Sequence, residues 1–143
     1  MKYEIHISPD GEEKVIIYAR ENSPLVESIK SLLEKSDSTL MGYRDKEVFP
    51  LDPASVYCIT VVQNKVYAIC EKERYLLKER LYSLEERLPC FFVKINQSSI
   101  ANFNKIERFD TSISGTLKLV FKNGHVEYVS RRQLKLIKER LGV

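Results

Sequence analysis

The sequence predicts an α+β fold, predominantly antiparallel β with short helices at its periphery. Three observations carry this. From Leu40 onward, short runs rich in β-branched and aromatic residues recur, separated by turn-forming residues. Only three stretches, after Ser23, from Leu81 to Leu88 and after Ser130, space their apolar residues as a helix does. A chain of 143 residues, 43% hydrophobic and 30% charged, also has the balance of a globular protein able to bury a core.

The first element expected is a hairpin. Tyr3, Ile5 and Ile7 alternate with polar residues, Asp10-Gly11 offers a turn, and residues 15–19 are a second apolar run. Ser23-Pro24 then supplies an N-cap followed by proline at the first helical position. Leu25, Ile29, Leu32 and Leu33 put one apolar stripe on a helix ending near Lys35, and residues 36–39 are a short loop. This ββα unit, residues 1–40, is too small for a core of its own. It is expected to pack on the rest of the chain or on a second subunit.

Residues 41–143 read as the main domain, with its first strand starting at Leu40. Strands are expected over 40–43 and 48–51 around the charged turn Arg44-Asp45-Lys46, and Pro50 and Pro53 confine this pair to a sheet edge. Residues 56–62 and 66–70 form a hairpin around Gln63-Asn64-Lys65, and 75–77 is another strand. Leu81, Leu84 and Leu88 mark a short helix stopped by Pro89. Residues 91–95 are a strand, Ile100 leads on to Asn102, and 105–110 and 116–121 are strands joined by a turn at 112–115.

The last elements follow one another without a spacer. Asn123-Gly124 is the signal of a type I′ turn, whose two central residues both need φ > 0. The strand 125–129 runs into Ser130, and Gln133 three residues on completes a capping box. Leu134, Ile137 and Leu141 give the helix its apolar stripe, and Gly142 suits a left-handed C-terminal cap. Arg131 and Arg132 occupy the first turn, where the helix dipole favours anions. Each costs the isolated helix about 0.5 kcal/mol, and a bound phosphate reverses the sign. By themselves they read as solvated surface arginines.

Composition excludes much. No apolar run approaches the ~20 residues needed to span a bilayer. The first residues lack the apolar core of a signal peptide, so a cytoplasmic protein without membrane insertion is expected. Cys58, Cys70 and Cys90 are an odd count in or beside apolar runs and read as reduced core thiols. Neither His6 nor His125 has a Ser/Asp or Cys/Asp partner at a recognisable spacing, and the five glycines build no phosphate loop. The pairs Glu12-Glu13 and Glu85-Glu86 fall where solvation accounts for them. No catalytic residue, metal site, cofactor or small-molecule substrate is therefore expected.

The net charge of +3 conceals an asymmetry. Its balance is −3 over residues 1–50, zero over 51–90 and +6 over 91–143. A basic stripe of this kind suits nucleic acid, and equally suits a solvated face. Within it, Asn96-Gln97-Ser98-Ser99 leaves a strand flanked by Lys94 and Lys105. Carboxamides can bond a base edge and hydroxyls can hold phosphate oxygens. Alone, such a patch reads as a polar turn bonded to its own backbone.

Together, FVKINQSSIANFNKIERF (residues 92–109) and NGHVEYVSRRQLKLIKERL (residues 123–141) resemble the LytTR family of bacterial DNA-binding domains. The family pattern has an aromatic-led strand, a polar triplet ending in serine, an apolar-x-Asn step and an Asn-x-x-Ile-like return. Here these are Phe92, Asn96-Gln97-Ser98, Ile100-Ala101-Asn102 and Ile106. The asparagine-glycine turn, Val129-Ser130-Arg131 and an amphipathic helix match the second half, and LEERLPCFF resembles the preceding helix, proline and strand. The likeness runs from about Tyr43 to the C-terminus.

The resemblance implies an elongated β fold that grips double-stranded DNA with loops instead of a recognition helix. Base contacts would come from the hairpin tip at Asn64 or Lys65, from Asn96 and above all Gln97, and from Arg131. Lys94, Ser98, Arg132 and Lys135 would contact the backbone, and Asn102 would be structural, bonding main chain within the fold. Many family members carry a basic residue in the triplet that is Asn96-Gln97-Ser98 here. A receiver domain would need ~120 residues of alternating strand and helix, so the chain resembles short, stand-alone regulators. These expectations describe a cytoplasmic bacterial transcription regulator, active as a homodimer, with residues 1–40 as a dimerisation or regulatory surface. The alternative is a β-rich module whose basic face meets a protein or RNA.

Overall fold

The computed structural model describes residues 2–34, 39–111 and 115–142. After helix α1 (Pro24–Glu34) come strands β1 (Leu40–Arg44), β2 (Glu47–Leu51), β3 (Cys58–Val62), β4 (Lys65–Ile69) and β5 (Arg74–Leu77). Helix α2 (Leu81–Arg87) leads to β6 (Phe92–Asn96), β7 (Ser99–Asn102), β8 (Ile106–Asp110), β9 (Leu117–Phe121), β10 (Val126–Val129) and helix α3 (Arg131–Leu141). Two antiparallel sheets result, one in the order β2-β1-β5-β4-β3-β7-β6 and one in the order β10-β9-β8. The fold is α+β and mostly antiparallel, as expected. The proline-bearing strand β2 is indeed an edge.

The two cores lie on opposite faces of the β3-β7-β6 end of the larger sheet. Along β3, Cys58 belongs to one core and Ile59 to the other; along β7, Ile100 and Ala101 divide in the same way. Strands buried on both faces read as continuous apolar runs, which is why residues 56–62 show no alternation. Leu84 and Leu88 join the first core. The second core gathers Ile95, Leu117, Leu119, Phe121 and Val129 with Ile137 of α3, and Leu134 and Leu141 pack against it as the helical stripe predicts. Each such side chain contributes about 1.5–3 kcal/mol on burial.

Asn102 has the structural role expected of it. It is fully buried, its Nδ2 donates to Val56 O at 2.8 Å, and its Oδ1 accepts from Asn104 N at 2.9 Å. The short strand β7 that carries it pairs with both β3 and β6.

Three expectations change. The N-terminal hairpin is not formed: the described residues before α1 carry no strand, and Tyr3, Ile5, Ile7, Val15, Ile16 and Tyr18 are exposed. A period-two pattern produces a ladder only where a face has something to bury against. Secondly, Asn123-Gly124 is not a type I′ turn, since Gly124 alone of the two has positive φ, at 88°. Gly124 N donates to Phe121 O, and Phe121 N to His125 O, making a three-residue hairpin loop with glycine at its left-handed position. Asn123 is held elsewhere, its Nδ2 donating to Cys70 O at 2.9 Å. Among the described residues, the turns with two left-handed central residues are Asp45-Lys46 and Gln63-Asn64, neither containing glycine. Thirdly, the reciprocal half of the capping box is absent. Ser130 Oγ accepts from Gln133 N at 3.3 Å, but Ser130 N donates to Ile95 O in β6.

The expected Ser23 cap is present, with Ser23 Oγ accepting from Val26 N at 3.3 Å, and Gly142 closes α3 at φ 75°. Residues 35–38 and 112–114, on which the loop after α1 and most of the expected turn at 112–115 fall, lie outside the described residues. No helix among the described residues is long and apolar enough to cross a membrane.

Candidate nucleic-acid interface

The exit of β6 and the start of α3 lie side by side. The cause is a bulge: Lys94 pairs with Ile100 and Asn96 with Ser99, leaving Ile95 outside the ladder. Its carbonyl accepts from Ser130 N at 2.9 Å, and Asn96 Nδ2 donates to Tyr128 O at 2.8 Å. These two bonds join β6 to the end of β10, across the junction of the two sheets. Between them opens a groove of about 410 Å³, lined by Lys94, Asn96, Gln97, Ser98, Ser130, Arg132 and Gln133.

The β3–β4 turn belongs to the same end of the molecule. Thr60 pairs with Ser99, and Val61 N donates to Ser98 O at 2.8 Å, so Gln63-Asn64 projects beyond the β6–β7 turn. Asn64 and Lys65 are exposed, with Asn64 in the left-handed conformation at φ 64°. Below the surface, Thr60 Oγ1 and Ser99 Oγ are 2.9 Å apart, which satisfies both hydroxyls where the strands are buried.

The expected contact residues differ in how free they are. Gln97 and Ser98 are exposed at the turn, as are Arg131, Arg132 and Lys135 on α3. Arg132 lines the groove, while Arg131 sits about 100° further round the first turn. Asn96 is largely committed: Oδ1 accepts from Ser98 N at 2.8 Å and Nδ2 spends one hydrogen on Tyr128 O. Lys94 Nζ lies 3.7 Å from a carboxylate oxygen of Glu85 on α2, a half-exposed pair worth at most about 1 kcal/mol and displaceable by a phosphate. At the other end of α3, Arg140 Nη2 donates to Cys90 O at 2.9 Å and the guanidinium covers Phe103, so the helix is pinned at both ends.

Chemically, the groove brings together several kinds of group besides the Lys94 ammonium. There are the amides of Gln97 and Gln133, the hydroxyl of Ser98, the guanidinium of Arg132, and the free N–H groups of a helix N-terminus. That set suits phosphate oxygens and base edges. Ser130 and Gln133 were missed by the sequence reading as groove residues, because their spacing already accounts for them as a cap. A mixed donor cluster, Cys58, His125 and Glu127, was also missed. The His-x-Glu step on one strand was its only visible trace.

The LytTr DNA-binding domain family model matches residues 46–142. Proteins from Staphylococcus aureus strains NCTC 8325 and COL, each named an uncharacterized HTH-type transcriptional regulator, are 36% identical over 146 aligned residues, covering all of this chain and 99% of each relative. A solved LytTr DNA-binding domain from Bacillus cereus superposes with a TM-score of 0.70 at 23% identity, over 73% of this chain and 97% of that one. The relatives' names specify a helix-turn-helix. Among the described residues α1, α2 and α3 are separated by strands, so no two helices form such a unit.

Proposed function

This chain belongs to the LytTR DNA-binding family, and from that premise we propose that it is a transcription regulator reading duplex DNA with turns and one helix start. The β6–β7 turn and the first turn of α3 enter one groove, and the Gln63-Asn64 turn enters the next. Gln97 and Arg131 read base edges, a guanidinium fork suiting guanine O6/N7 and a carboxamide suiting adenine. Asn64 and Lys65 make the outer base contacts, and the remaining amide hydrogen of Asn96 adds to those of Gln97. Lys94, Ser98, Arg132 and Lys135 hold phosphates and set the register. The observation that supports this most is the pair of bonds Ser130 N to Ile95 O and Asn96 Nδ2 to Tyr128 O, because it turns two distant polar segments into one surface.

Arg131→Ala is expected to cost about 1–3 kcal/mol of binding and to relax the preferred sequence, while Lys94→Ala weakens all sequences alike. Binding titrations on a panel of duplexes selected from a random pool check both, and unchanged affinity in both variants removes the assignment. Duplex should outcompete single strands, and affinity should fall with salt at a log-log slope of about −0.9 per phosphate neutralised.

The protein acts as a homodimer on paired half-sites, with residues 1–40 as the contact between copies. The support is the run of large apolar side chains exposed before α1, together with Leu25, Leu32 and Leu33 on α1 itself. Deleting residues 1–39 should convert dimer to monomer by light scattering. An unchanged mass discards this role.

A further inference from the structure

Three side chains with no part in the DNA-reading surface meet between the two sheets. Cys58 stands on β3, Glu127 is in β10 and His125 immediately precedes that strand. Their donor atoms, Cys58 Sγ, a ring nitrogen of His125 and a carboxylate oxygen of Glu127, all lie within 4.8 Å of one another. Glu127 Oε1 is 2.9 Å from His125 Nε2. We propose that Cys58, His125 and Glu127 bind a zinc-class divalent cation that ties the larger sheet to the smaller one.

The donor set points to that class. Sulfur, imidazole nitrogen and one carboxylate oxygen match the preferences of a borderline-soft ion, and do not match magnesium or calcium. Three protein ligands leave a fourth, tetrahedral position for water. Charge balance favours the same ion: a thiolate and a carboxylate carry two negative charges, which a divalent cation neutralises where burial penalises any net charge.

The surroundings suit a held site with an entrance. Cys58 is fully buried, while the side chains of His125 and Glu127 are 26% and 18% exposed, so an ion can enter from their side. The Phe121 ring packs 5.6 Å from that of His125, and His125 N donates to Asn123 Oδ1 at 3.0 Å, which fixes the loop. Without an ion, Cys58 keeps its proton, since burial and then the charge of Glu127 push its thiol well up. The ion must displace that proton, so binding releases it and weakens as pH falls. The site does not depend on the DNA reading. If both hold, the ion would steady the strand that delivers Ser130 and Arg131.

The test uses the full chain, reduced and stripped with a chelator, titrated with Co²⁺ and then Zn²⁺. One equivalent of Co²⁺ should produce a thiolate-to-metal charge-transfer band and tetrahedral visible bands that Zn²⁺ abolishes, and Zn²⁺ should raise the melting temperature. Cys58→Ser should remove the charge-transfer band. Should that buried substitution prevent folding, His125→Gln and Glu127→Gln decide, each lowering affinity at least about tenfold. Absence of the band in the natural sequence overturns the proposal, as does a band of unchanged affinity in His125→Gln, which would assign it to Cys70 or Cys90.

Discussion

The β6–β7 hairpin and the segment before α1 carry much the same local signal, apolar residues in short runs around a polar turn, and they end in opposite states. In the hairpin, Ile95, Ile100 and Ala101 are buried and the polar atoms of Asn96, Ser99 and Asn102 have partners. Before α1, Ile7 and Tyr18 are each 90% exposed and no ladder forms. The difference is not propensity. β6 and β7 extend a sheet already built by β3 and β4, with a core on each side, whereas a two-stranded ribbon with neither is marginal in water. Its exposed apolar side chains are the reason a second copy is the occupant proposed for this segment.

That contrast can be broken at the hairpin first. Asn102→Ala should have the largest effect, about 2–3 kcal/mol of stability by denaturant unfolding, because it strands Val56 O in the interior and takes the acceptor from Asn104 N nearer the surface. Ser130→Ala should come next, near 1 kcal/mol from the lost cap. It should leave the Ile95 carbonyl satisfied, since that bond uses Ser130's backbone. A much larger loss would mean that the side chain, not the main chain, joins helix to sheet. Smallest of all, Ile5→Ser with Ile7→Ser should change monomer stability by less than about 0.5 kcal/mol. The same pair should weaken self-association, so measuring melting and mass on one sample sharpens the comparison. Substantial destabilisation of the monomer would show that residues 2–23 pack on the domain.

The acid range offers a further control at an ion pair outside both regions. Hydrogen bonding and charge from Arg87 hold the Glu79 carboxyl below its usual range. A depressed carboxyl stabilises the fold above its unfolded pKa, and that contribution is lost as pH falls through the lower, folded value. Both groups are half-exposed and screened by water, so Arg87→Ala should remove only a few tenths of a kcal/mol at neutral pH, by denaturant unfolding, and nothing at strongly acidic pH.

Most of the strands, all three helices and the edge position of β2 could be read in order along the chain, because burial against a neighbour imprints a period and proline removes a ladder hydrogen bond. The stripe Leu134, Ile137 and Leu141 is such an imprint, and the apolar run on either side of Cys58 lacks a period because both of its faces are covered. Turn chemistry was less legible. Asn123-Gly124 carries the best type I′ signal, yet Asn123 is recruited by Cys70 O and the loop takes a third residue. Gln63-Asn64 adopts the two left-handed residues with no glycine, held by ladders on both sides.

By itself, the sequence determined the fold class, the family and most of the polar groups near the groove, since these depend on local periodicity and on motifs a few residues long. Only the tertiary structure decided which of those groups remain free. Gln97 is exposed while Asn96 is occupied, because a bulge at Ile95 sends one carbonyl and one carboxamide across to β10 and α3. It alone brought Cys58 to His125 and Glu127, across a sheet junction. Partnerships between side chains far apart in the chain are set by how sheets stack, and no short-range pattern records them.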